Sequence, residues 1–160
     1  MSYAIVYSSR TGNTARLAKA LQEFLPEQEC VYVGPPDPKA LSADTLYVGF
    51  WTDKGTCDAG TAGFLPDLRE QSVFLFGTAG FGGDDAYFAR ILDRVKKLLP
   101  AGVTVRGTFM CQGKMPQTVR MRYEVMDDSP QRTAMLENFD RALHHPDEED
   151  ITQLLAAVTA

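Results

Sequence analysis

The chain has 160 residues, 44% of them hydrophobic, and a formal charge of −5, enough for one well-buried core and too little for two ordinary domains. With no basic stripe to neutralise phosphates, the acidic balance argues against nucleic acid and for a basic protein partner or a basic channel on an enzyme. No stretch approaches the roughly 18 consecutive apolar residues of a membrane helix, and the N-terminus lacks a charged segment leading into an apolar one, so a cytoplasmic protein is expected.

The first apolar run, Tyr3–Tyr7, reads as a strand. It passes through Ser8-Ser9-Arg10-Thr11-Gly12-Asn13-Thr14 into a helical pattern over 14–25, carried by Leu17, Ala18, Leu21, Phe24 and Leu25. A strand that turns through Ser, Thr, Gly and Asn into a helix makes a phosphate cradle. Hydroxyls and unpaired backbone N–H groups converge on one spot, and the helix dipole favours an anion there. No Lys follows the Gly, so the phosphate is one that stays in place, without transfer chemistry or a Mg²⁺ site. The alternative is an ordinary polar turn with Thr11 or Asn13 as N-cap.

Further strands are expected at Cys30–Val33, Leu46–Phe50, Val73–Phe76 and Val103–Phe109, with helices over 59–68 and 86–99 between them. The third strand leads into a loop, residues 49–58, that carries the single Trp. A flat indole beside a polar Gly turn suits a planar ligand, whereas a core position at a strand end is the plainer alternative. After the fourth strand, four glycines within seven residues (Gly77, Gly80, Gly82, Gly83) permit the backbone to lie against a ligand edge. Beyond the fifth strand come Gln112–Pro116, a helical stretch near Val119, Tyr123 and Met126, and a second helix opened by Ser129-Pro130. A last helix follows Pro146–Asp150 and buries Ile151, Leu154, Leu155 and Val158. Alternating strands and helices give a parallel sheet covered on both faces, with ligands bound beyond the carboxyl ends of the strands where strand order reverses.

Ser9-Arg10-Thr11-Gly12-Asn13-Thr14 resembles the loop that holds the FMN phosphate in flavodoxins, and Gly83-Asp84-Asp85-Ala86-Tyr87 resembles their Gly-Asp-x-x-Tyr loop. The resemblance spans nearly the whole chain. It implies an α/β fold: a flavodoxin-like doubly wound five-stranded parallel sheet of order 2-1-3-4-5, in one domain over 1–160, with an extra helical segment at about 112–145. Flavodoxins are themselves an instance of the switch-point rule.

By the same resemblance Ser9, Arg10, Thr11, Gly12, Asn13 and Thr14 hold the FMN phosphate, with Arg10 either pairing with it or pointing outward to an acidic partner. Trp51 and the turn Thr52, Asp53, Lys54 and Gly55 cover one side of the flavin, and Gly55 is the candidate for a peptide that turns its carbonyl toward flavin N5–H. Thr78, Ala79, Gly80, Phe81, Gly82, Gly83, Asp85 and Tyr87 form the other side. Many flavodoxins place an outer-face Tyr earlier in this loop; here Phe81 or Tyr87 substitutes. An acidic, apolar surround would lower the potential of the fully reduced flavin. Residues 49–58, 77–85, 111–116 and 145–150 also resemble a subgroup of short flavodoxin-like proteins of anaerobic bacteria, one group of which is associated with bilirubin reduction.

The expected function is an electron carrier that needs no catalytic side chain and passes electrons to a partner oxidoreductase, as a monomer or weak dimer. An FMN-dependent reductase of a small acceptor, quinone-like or tetrapyrrole, is the alternative, with segment 112–145 walling a substrate pocket. A flavin-free interaction module is the third. Rival chemistries fail on residue type: Ser8-Ser9 and Phe50-Trp51 stand where a receiver domain needs acids, and Gln117 stands where a Cys-x₅-Arg phosphatase loop starting at Cys111 needs Arg. Cys30, Cys57 and Cys111 have no metal spacing and read as reduced thiols, Cys57 being either redox-sensitive or simply packed. His144-His145 read as a solvated turn, with no metal expected. Five of the six methionines lie at or after Met110, filling core or forming a docking surface.

Overall fold

Strand side chains alternate between faces, and in this chain both sets are apolar, so the sheet must be covered on both sides. A computed structural model describes residues 1–82 and 84–160; Gly83, among the expected flavin contacts, lies outside the described residues. In chain order the elements are β1 (Tyr3–Tyr7), α1 (Asn13–Phe24), β2 (Cys30–Gly34), β3 (Thr45–Asp53), β4 (Thr56–Cys57), α2 (Ala59–Phe64), β5 (Ser72–Ala79), α3 (Asp85–Lys96), β6 (Thr104–Gln112), α4 (Gln117–Glu124), α5 (Pro130–Ala142) and α6 (Glu148–Thr159). Five strands run parallel in the order β2-β1-β3-β5-β6, which is the expected 2-1-3-4-5 arrangement; β4 is a short antiparallel addition to β3.

Tyr3, Ile5, Phe74 and Phe76 project from one face onto Leu17, Ala18 and Leu21 of α1 and Leu154 of α6. Ala4, Val6, Leu46, Val48, Val73 and Leu75 project from the other, toward Leu65, Leu68 and the α3 residues Ile91, Leu92 and Val95. Full burial of each such Leu or Ile stabilises the fold by about 1.5–3 kcal/mol. At the carboxyl ends of the central strands two cross-strand pairs interlock. Gly49 faces Phe76 and Phe50 faces Gly77, and a Cβ on either glycine would lie 2.4 Å from the partner ring.

Three features differ from expectation. Helix α2 stops at Phe64, because Pro66 has no N–H to continue it and the chain tightens into a 3₁₀ turn over Leu65–Asp67. Strand β3 does not end at Phe50 but runs to Asp53 and turns back through Lys54-Gly55 into β4, so most of the expected loop 49–58 is a β-hairpin. The two histidines are not equivalent. His144 is exposed, but His145 Nδ1 lies 2.7 Å from Asp150 Oδ2, beside the Asp147–Asp150 capping box that starts α6. Among the described residues no helix is long and apolar enough to cross a membrane.

Candidate functional site

The strand order reverses on either side of β1, and the loops leaving β1, β3 and β5 meet at the carboxyl edge of the sheet. Ser8 N–H donates to the Gly49 carbonyl at 3.0 Å, which carries β1 to the edge. The chain then turns at Gly12, in the left-handed region at φ 86°, and α1 begins. Ser9 Oγ accepts the Ala15 N–H at 3.2 Å, so Ser9 closes the turn, and neither Thr11 nor Asn13 serves as N-cap. The backbone N–H groups of residues 10–14 have no hydrogen-bond partner among the described residues. Five free donors at a helix N-terminus can cradle an anion such as a phosphate.

The side chains of the cradle are already engaged. Thr11 Oγ1 and Asn13 Nδ2 both donate to the Lys114 carbonyl, at 3.2 and 2.8 Å. Thr14 is fully buried, donating its hydroxyl to the Phe50 carbonyl at 3.1 Å and lying 3.2 Å from Thr78 Oγ1. Its side chain therefore ties α1 to the sheet beneath the cradle.

A cleft of about 350 Å³ opens beside the cradle and gathers most of the expected residues: Arg10, Thr11, Asn13, Trp51, Thr52, Asp53, Lys54, Gly55, Thr78, Ala79, Gly80, Phe81 and Tyr87. Ser9, Gly12, Thr14, Gly82 and Asp85 do not line it. Ser9 and Thr14 are turned to the bonds above, and Asp85 is drawn into the first turn of α3 behind its cap Asp84. Trp51 is held by buried Asp58, whose Oδ1 accepts the Trp51 N–H at 3.3 Å while its own N–H donates to the Trp51 carbonyl at 3.0 Å. Asp58 also caps α2 through Thr61. The Arg10 guanidinium lies 5.5 Å from the Trp51 ring centroid, in cation–π contact.

The hairpin gives the candidate turning peptide a partner. Lys54 and Gly55 both have positive φ, 53° and 84°, as a tight two-residue hairpin turn requires, and the Gly55 carbonyl accepts Arg94 Nη1 of α3 at 2.9 Å. The carbonyl expected to turn toward the flavin thus carries one hydrogen bond, from α3. Beside it Thr52 Oγ1 is buried and has no hydrogen-bond partner among the described residues.

Sequence reasoning missed Gly113, Lys114, Met115 and Pro116 of the β6–α4 connection and Val119 in the first turn of α4, which close the cleft. Met115 packs directly on Gly80, where a Cβ would lie 2.5 Å from its Cγ. The wall left to Phe81 or Tyr87 therefore also contains a thioether. The amides of Gln112 and Asn138, likewise unforeseen, bond the Gly80 carbonyl. The cleft is not acidic: Arg10, Lys54 and Lys114 line it against Asp53 alone, a positive excess that suits an anionic ligand. Burial, helped by neighbouring Asp58, pushes the Cys57 thiol up to about 11, so Cys57 is a packed neutral thiol.

Residues 4–159 match the flavodoxin domain family. The flavodoxin-like domain-containing protein BilS of Clostridium symbiosum is 44% identical over 172 residues, spanning 94% of this chain and 90% of that protein. BilS of Clostridioides difficile is 28% identical over 163 residues with the same coverage of 94% and 90%. Among solved structures, a short-chain flavodoxin associated with a bacterial microcompartment has a TM-score of 0.56 at 18% identity, covering 89% of this chain and 97% of that one. A flavoprotein from Lactobacillus acidophilus in complex with FMN has a TM-score of 0.53 at 14% identity, covering 68% and 92%.

Proposed function

The chain belongs to the flavodoxin domain family, and from that premise we propose that it is an FMN-binding electron-transfer protein that exchanges electrons with a partner oxidoreductase. The observation that carries this reading is the row of free N–H groups over residues 10–14, opening beside a cleft with excess positive charge. Those donors and the α1 dipole hold the phosphate. Trp51, fixed through both backbone groups by Asp58, walls the ring on one side, and Met115 and Tyr87 line the cleft with it. When bound, the flavin supplies the electron-accepting ring, and the protein contributes binding, orientation and electrostatics. Phe81, 43% exposed at the rim, offers apolar surface where a partner approaches. The three free thiols suit a reducing, cytoplasmic compartment.

A second reading has its own observation. A groove of about 410 Å³ shares Phe81 and Tyr87 with the cleft and is bounded on its far side by Gln131, Met135 and Asn138 of α5. That space beside the flavin suits an FMN-dependent reductase of a small acceptor, quinone-like or tetrapyrrole.

The test is to load the purified protein with FMN, remove free ligand, and follow reoxidation of the reduced holoprotein. Slow, nonspecific reaction with small acceptors but rapid exchange with a partner reductase supports the carrier. Fast, saturable turnover of one acceptor without a second protein supports the reductase. Failure to retain FMN overturns both.

A further inference from the structure

Two amide side chains from outside the cleft converge on one backbone oxygen within it. The Gly80 carbonyl accepts Gln112 Nε2 at 3.0 Å and Asn138 Nδ2 at 3.1 Å, while Gln112 Nε2 also donates to Asn138 Oδ1 at 3.0 Å. Asn138 is buried on α5, in the segment between β6 and α6, and Gln112 is the last residue of β6. A mutually bonded pair of amides, one buried and one half-buried, is fixed in orientation, and so is the group it grips.

Glycine is the residue whose peptide turns over most readily, so a doubly held carbonyl at Gly80 removes a freedom the chain would otherwise have. In a trans peptide the N–H points opposite to the C=O. The only cis bond among the described residues is His145–Pro146, so the peptide joining Gly80 to Phe81 is trans. Its carbonyl faces Gln112 and Asn138, neither of which lines the cleft, whereas Gly80 and Phe81 both do. Among the described residues the Phe81 N–H has no hydrogen-bond partner.

We infer that Gln112 and Asn138 are positioning residues that lock the 80–81 peptide with its N–H presented to a carbonyl oxygen of the bound flavin ring. This rests on the FMN reading above. A donor there binds the reduced ring more tightly than the oxidised ring, because reduction adds electron density to the ring oxygens. Without the clamp the Gly80 peptide is free to turn its carbonyl into the cleft, which reverses the preference.

The test uses Gln112→Met and Asn138→Leu, singly, with FMN dissociation constants measured for both redox states and the Phe81 amide nitrogen shift followed by NMR. The expected result is that each variant retains FMN but loses about tenfold more affinity for the reduced than for the oxidised form. By the two-electron relation that lowers the midpoint potential by about 30 mV. In the wild type the Phe81 amide moves on FMN binding, and in the variants it moves less. Equal losses in both redox states, or a Phe81 amide indifferent to FMN, overturn the inference while leaving FMN binding intact. A wild type that retains no FMN overturns the functional reading itself. Should Asn138→Leu not fold, Gln112→Met, at a half-buried position, gives the same readout.

Discussion

Gly77→Ala and Gly63→Ala should move stability in opposite directions, although both add one methyl group. At Gly77 the new Cβ would lie 2.4 Å from Cε2 and Cζ of Phe50 and 2.8 Å from Cε1, where ordinary contact begins at 3.4 Å, so the ring must retreat by about 1 Å. Phe50 is fully buried in close-packed surroundings, with no room to retreat into. Overpacking of this kind costs about 1–3 kcal/mol. At about 2–4 °C per kcal/mol for a domain of this size, Tm falls by about 2–12 °C. The displacement also reaches the site, because the Phe50 carbonyl anchors Thr14 and the next residue is Trp51, so FMN binding weakens. At Gly63, exposed on α2, a Cβ meets nothing within 4 Å, and Ala gains up to about 1 kcal/mol of helix propensity. Thermal unfolding followed by circular dichroism measures both. A Gly77→Ala protein that melts with the wild type or above it would refute the interlocked Phe–Gly packing.

Thr14→Val removes the hydroxyl that donates to the Phe50 carbonyl and should cost the apoprotein about 1–3 kcal/mol in urea unfolding, with Thr14→Ser recovering most of it; an unchanged urea midpoint would free that hydroxyl for another partner. Trp51 is the single tryptophan and lines the cleft, so FMN should quench the intrinsic fluorescence, and bound flavin without quenching would remove the indole from the ring. Cys57 has a folded pKa raised from 9.0 to about 11, so its contribution is fully present below pH 9 and lost as pH rises through 11. Cys57→Ala should therefore lose stability less steeply across that window in urea titrations, and parallel curves would contradict the burial of the thiol. Asp147, whose carboxylate accepts the Asp150 N–H, is held below its ordinary 3.8; its contribution is present above that value and fades as acid protonates it, so Asp147→Asn should flatten loss of α6 helicity below about pH 4.

The strand-to-helix turn was legible because its residue types are local: residues 8–14 themselves supply the left-handed Gly12 and the free N–H groups. The strands were legible because apolar residues on both faces leave few alternatives. What escaped depends on separation in sequence. The Gly55 carbonyl is taken by Arg94, 39 residues away, and the Gly80 carbonyl by Asn138, 58 residues away, and no spacing rule connects either pair. The Lys54-Gly55 turn was hidden because a lysine occupies one of its left-handed positions, where glycine or asparagine is the usual signal. Thr14 was legible as a residue and misleading as a contact, since the direction of its hydroxyl follows from how α1 sits on the sheet.

The side chains of Thr11 and Asn13 are tied to the carbonyl of Lys114, and the Lys114 N–H donates in turn to the His145 carbonyl at 3.1 Å. The shape of the turn therefore depends on a residue more than a hundred positions downstream. Cofactor capture is on this account coupled to closure of the fold: until residues 113–116 dock beside the turn, residues 10–14 lack the wall that completes the cleft. FMN would then act as a stabiliser of finished molecules, binding the closed cleft and not the unfolded chain.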